Sequence, residues 1–169
     1  MMNTLIKMVA SVSILAFAPT QVLAQEDTLT EAPSPNGSVK LSGDVMAVKV
    51  IADDTGAERT ELVKPDLIVP GDRLVFGTDY ANEGAEAVTD FVVTNPLPSA
   101  VRLASDADAG LTVSVDDGAS WGMLSSLSIT EDDGSVRSAT HADVTHVRWT
   151  IASIAPGASG RLEYPAIIR

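Results

Sequence analysis

Gly118-Ala119-Ser120-Trp121-Gly122 has the G-x-S-x-G spacing of a hydrolase nucleophile, and Asp132, Asp133, His141 and His146 follow it in the order nucleophile, acid, base. That chemistry needs the serine on a strained strand-to-helix turn with oxyanion-binding N–H groups beside it. The neighbouring residues point elsewhere. Asp116-Asp117-Gly118 immediately before the serine is a hairpin signal, and no helical period follows. Ser120 is expected to be a turn residue beside a tryptophan. The competing reading is a small hydrolase using Ser120 with His141 or His146.

The remaining chemistry-bearing residues give weaker patterns. His141 and His146 stand five apart with Asp143 between them. Zinc ligands on a strand favour a spacing of two, which puts both rings on one face. A spacing of five puts them on opposite faces unless His141 lies in the preceding loop. With two histidines and no cysteine, a tetrahedral set has no thiolate to complete it. Asp106-Ala107-Asp108-Ala109-Gly110 suggests a calcium loop, yet an EF-hand would need Gly where Leu111 stands and Glu where Asp117 stands. Solvated acidic turns are expected, with a looser cage of Asp106, Asp108, Asp116 and Asp117 as the alternative. No catalytic residue, no cofactor-binding residue and no metal ligand is assigned.

These residues sit in a chain of 169 residues with 11 Lys and Arg, 23 Asp and Glu, and no Cys. The length suits one domain. Lack of cysteine removes disulfides, thiolate metal sites and a cysteine nucleophile. The acidic balance argues against nucleic acid, because binding a polyanion needs Lys and Arg to displace counterions.

Residues 1–24 read as a cleaved signal peptide. Lys7 precedes an apolar run from Met8 to Ala18, and Val22-Leu23-Ala24 is a small-residue cleavage site. That run is shorter than the roughly 20 residues needed to span a bilayer. Cleavage leaves ten basic against 23 acidic residues and a charge of −13. The expectation is an exported protein, periplasmic or extracellular, with no membrane insertion after cleavage. Residues 25–36, QEDTLTEAPSPN, are polar with two prolines and read as a flexible linker.

Residues 37–169 carry period-two alternation between turn signals, and no long stretch keeps a 3.6-residue apolar period. In Arg73–Asn82, Leu74, Phe76, Thr78 and Tyr80 point one way and Arg73, Gly77 and Asp79 the other. In Thr145–Ile151, Val147, Trp149 and Ile151 alternate with His146, Arg148 and Thr150. Leu162, Tyr164, Ala166 and Ile168 mark a last strand. Weaker strands are expected at Val45–Ile51, Glu61–Val63, Thr89–Thr94, Leu111–Val115 and Leu127–Ile129. Short strands at this spacing predict a single-domain, all-β antiparallel sandwich, with a small barrel as the competing architecture. Strand parity places Trp149, Tyr80 and Tyr164 inside. Trp121, beside a turn, is the aromatic with the best prospect of exposure.

The order of the turns resembles one family. Pro70-Gly71-Asp72 enters a strand ending in Asn82-Glu83-Gly84, and the next strand ends in Asn95-Pro96-Leu97-Pro98. A strand carrying Trp149 follows, then Pro156-Gly157-Ala158-Ser159 before the final strand. This series resembles the conserved-repeat domain of bacterial surface proteins, domain of unknown function eleven, over about Leu62 to Ile168. The family often has Asp where Asn95 stands, and often occurs as tandem copies where this chain has one. The resemblance implies an immunoglobulin-like sandwich and a surface location, and brings no catalytic residues. The resulting expectation is an exported non-catalytic module at the bacterial envelope or outside the cell, structural or binding. Its partner would be an envelope or extracellular protein or a glycan.

Overall fold

The computed structural model describes residues 38–52 and 54–169. The expected signal peptide (1–24), the linker (25–36), Gly37 and Asp53 lie outside them. The described strands are β1 (Val39–Ala52), β2 (Glu58–Val63), β3 (Arg73–Asn82), β4 (Val88–Pro96), β5 (Val101–Leu103) and β6 (Thr112–Ser114). After these come β7 (Gly122–Met123), β8 (Ser128–Thr130), β9 (Val136–Ser138), β10 (His146–Ile154) and β11 (Ser159–Ile168), with one 3-10 turn at Leu124–Ser126.

Two antiparallel sheets hold most of the strands. One runs β2-β1-β3-β11-β5 and the other β4-β10-β6-β7, while β8 and β9 form a separate hairpin. Both sheets are open at their edges, so the fold is a sandwich and not a barrel. It shares the antiparallel architecture of immunoglobulin-like domains, with its own wiring. In the immunoglobulin order the last two strands are neighbours in one sheet. Here β10 and β11 belong to different sheets, and β11 inserts between β3 and β5.

Alternation explains what fills the space between the sheets. Leu74 of β3, Tyr164 and Ala166 of β11, Val101 and Leu103 of β5, Val113 of β6 and Val147 of β10 form one buried cluster. Phe76 stacks on Tyr164 with ring centroids 5.0 Å apart and planes 4° from parallel. Trp149 packs on the same tyrosine at 6.1 Å. Burial of Tyr164 disfavours its charged form and pushes the phenol up to about 12. A second, smaller cluster gathers Val88, Phe91, Val93 and Ile154. Within this second cluster, strict alternation fails. Phe91 pairs with Ile151 and Val88 with Ile154, three positions on, and Asp90 at the break has φ +52°. That left-handed residue resets the inward face of an edge strand, a local kink of the kind that discourages strand addition.

The turns named above are also fasteners. Asn82, 1% exposed, donates its amide to Glu86 O at 2.8 Å and Ile154 O at 2.9 Å, and its Oδ1 accepts from Gly84 N at 3.0 Å. Its backbone bonds Ala158 and Gly157. Asn82-Glu83-Gly84 and Pro156-Gly157 are thus one junction. On the outer side of the first sheet, Arg161 reaches Asp79 at 3.0 Å and Asp44 at 2.6 Å. A Cβ at Gly77 would meet that guanidinium at 2.0 Å, so any larger residue there would push Arg161 off its present position over β3.

Candidate functional site

The Ser120 segment is built upward from a buried serine. Ser114, 0% exposed at the end of β6, donates its hydroxyl to Asp116 Oδ1 at 2.7 Å and accepts Gly118 N at 2.8 Å. Asp116 then captures Ser120. Its Oδ1 accepts Ser120 N at 2.9 Å, and its Oδ2 accepts the Ser120 hydroxyl at 2.5 Å. Asp117 (φ +57°) and Gly118 (φ +89°) supply the left-handed turn between β6 and β7, as the Asp-Asp-Gly signal requires. Hydrogen bonds to a carboxylate favour its charged form. The Ser120 hydroxyl is the largest cause, its backbone N–H next and the Ser114 hydroxyl third, and together they pull Asp116 down to about 2.

Ser120 therefore lies on a hairpin loop leading into a two-residue strand, not on a strand-to-helix elbow. Among the described residues no hydrogen bond joins it to either histidine. His146 opens β10, with Nδ1 3.1 Å from Thr145 Oγ1. His141 lies in the turn before that strand, which resolves the odd spacing of five. Asp132 and Asp133 lie in the β8–β9 turn, where Asp133 accepts Ser135 N at 2.9 Å.

Beside the Ser120 loop the structure assembles a group that no spacing rule announces. Trp121 donates Nε1–H to Gly118 O at 2.9 Å, which fixes the indole. The Arg148 guanidinium lies over the ring, with Cζ 3.5 Å from its centroid, and Arg148 Nε reaches Thr94 Oγ1 at 3.4 Å. His146 meets the same indole edge-on, at 6.1 Å and 73°. Trp121 is half-buried, by Arg148 and its own turn, on the outer side of the second sheet. A cation held on an aromatic face keeps its N–H fork ordered. Arg148 has no carboxylate partner among the described residues.

The acidic turns do not converge. Asp106 is held bidentately by Arg73 at 2.8 Å on both oxygens, which lowers its pKa. Asp108 Oδ1 accepts Gly110 N at 2.9 Å, while Asp116 serves the Ser120 turn. Among the described residues no three His, Cys, Asp or Glu side chains gather as a metal set.

His141 instead lines a cleft at one end of the sandwich, about 440 Å³ in volume. Its floor is the core itself, with Leu103 from one sheet and Val113 from the other. Its walls are the β5–β6 loop, the 3-10 turn and the segment Ala139-Thr140-His141. That last wall is pinned. Arg137 of β9 donates to Asp143 at 2.7 and 2.8 Å, and Asp143 accepts Thr140 N at 2.8 Å. Arg137, the largest cause, holds the Asp143 carboxyl well below the usual carboxylate range. The β8–β9 hairpin joins neither sheet, yet its base shapes this cleft.

Comparison with known proteins finds no family model, no curated protein and no solved structure that matches the chain. Among the described residues no helix is long and apolar enough to cross a membrane.

Proposed function

We propose that this chain is a non-catalytic, immunoglobulin-like module of the bacterial envelope or exterior, exported by its leader and acting as a binding or structural unit. The observation that carries the reading is the Ser120 hydroxyl held on Asp116 at 2.5 Å. A nucleophilic serine needs a base positioned to take its proton and donors placed for the developing oxyanion. Ser120 instead donates to a carboxylate of depressed basicity inside a hairpin loop. Export is supported by Lys7, the apolar run Met8–Ala18 and Val22-Leu23-Ala24. The turn order resembling the conserved-repeat domain of surface proteins supports the location, and a protein or glycan of the envelope is the proposed partner.

One experiment tests both halves of the reading. The chain is expressed with its leader in a bacterium, recovered from the periplasm or medium, weighed intact, and exposed to a fluorophosphonate. The expected product begins at Gln25 and stays unlabelled. A product retaining Met1 in the membrane overturns the export proposal. Labelling that Ser120→Ala abolishes overturns the non-catalytic one and leaves the hydrolase.

A further inference from the structure

The cleft at the end of the sandwich has the makings of a ligand site distinct from the Ser120 loop. Its volume of about 440 Å³ falls within the roughly 300–1,000 Å³ of small-molecule pockets, which are mostly apolar with a few convergent polar groups. Leu103, Leu111 and Val113 form the base and are otherwise buried core residues. The apolar surface a molecule seated there would meet comes from Leu111 and the half-buried Ala107 and Leu124, with Leu103 and Val113 beneath them.

The rim decides what kind of molecule fits. Asp106 and Asp108 stand two residues apart on the same loop, yet only Asp106 has a cation, Arg73. Asp108 lines the cleft, gives one oxygen to Gly110 N, and forms no ion pair among the described residues. His141 and Thr140 line the cleft as well. Thr140 donates its hydroxyl to Asp143 at 2.7 Å, so Asp108 and His141, with the hydroxyls of Ser105 and Ser125, are the polar groups left to meet a ligand, and Asp108 alone among them is a carboxylate. A carboxylate beside an apolar floor calls for an ammonium group on a compact apolar body. A net charge of −13 on the leaderless chain raises the local concentration of such cations and repels anions.

We infer that this cleft binds a small amphipathic amine, its apolar body on Ala107, Leu111 and Leu124 and its ammonium on Asp108. The inference goes beyond the proposed function and stands whether or not Ser120 reacts with a fluorophosphonate. The wall built at the base of the β8–β9 hairpin gives that hairpin a part in the cleft. Arg137 and Asp143 clamp the strip that carries Ala139 and His141.

Tryptamine and its uncharged isostere tryptophol make the test, followed by amide NMR of the leaderless protein. Tryptamine should shift residues 103–111, 124–125 and 139–141. It should bind about tenfold more tightly than tryptophol, the worth of one charge-assisted hydrogen bond. Asp108→Asn, an exposed change that spares the fold, should bring tryptamine down to the tryptophol level and leave tryptophol unaltered. Ala139→Trp should fill the cleft and abolish both. The inference is overturned if about 10 mM tryptamine, the weak end of specific binding, leaves those residues unmoved. It is equally overturned if the two compounds bind alike, or if Asp108→Asn changes nothing.

Discussion

On β10, Val147, Trp149 and Ile151 face the space between the sheets, whereas His146, Arg148 and Thr150 face away from it. The inner set meets Tyr164, Val113 and Phe91, partners from three other strands. The outer set meets Trp121 from the β6–β7 loop and Thr94 of β4. One strand thus serves two purposes, separated only by parity. Inside, apolar area and close packing set the energy. Outside, a few oriented polar and aromatic contacts order side chains that solvent still reaches. The difference teaches where chemistry can sit in this molecule: at the outer faces and the loop ends, because the interior has no room for it.

The largest expected effect lies on the inner face. Trp149→Ala removes an indole that packs on Tyr164 and bridges both clusters, and should cost about 3–5 kcal/mol in denaturant melts. A loss below about 1 kcal/mol, the scale of an ordinary surface change, would mean that the two faces of β10 do not differ as described. The outer face should respond far less. Arg148→Ala removes the cation over Trp121 and should cost about 0.5–1 kcal/mol, as partly exposed cation–π pairs do. It should also change the near-ultraviolet circular dichroism of the protein. If Arg148→Ala costs as much as Trp149→Ala, the outer cluster is part of the core and the comparison collapses.

The inner face was readable from residue types. Arg73–Asn82 is a strand with those bounds, and the inward residues of β3 and β11 follow the expected parity, because burial selects apolar side chains at every second position. Three short strands were missed. Val101–Leu103, Gly122–Met123 and Val136–Ser138 span two or three residues each, too few for alternation to register. β1 begins at Val39 and not at Val45, since its first half pairs with β3 while exposing Leu41, Ser42 and Gly43. The placement of β11 between β3 and β5 was not legible, because nothing local specifies a partner across the sandwich.

The site was legible in part. The hairpin reading of Asp116-Asp117-Gly118 followed from turn chemistry, while the loop position of His141 was an alternative that its spacing left open. The stacking of Arg148 on Trp121 was not readable, since 27 positions separate the two and no spacing rule links them. Asp106 and Asp108 looked equivalent in the chain. Only the fold gives one of them an arginine and turns the other toward a cleft.

The central claim is that Ser120 fastens a turn through Asp116. It is tested most directly by carbon-13 NMR titration of the Asp116 carboxyl in the leaderless protein and in Ser120→Ala. In the wild type the carboxyl should titrate near about 2. Because the folded value lies below the unfolded one, its stabilising contribution is present above about pH 4 and is lost as pH falls toward 2. Removing the Ser120 hydroxyl, the largest cause of the shift, should move the carboxyl back toward the ordinary range of about 3.9 and flatten the acid limb of the stability curve, with the fold intact at pH 7. An Asp116 that titrates normally in the wild type, or does not respond to Ser120→Ala, would contradict the account and return Ser120 to the candidates for catalysis.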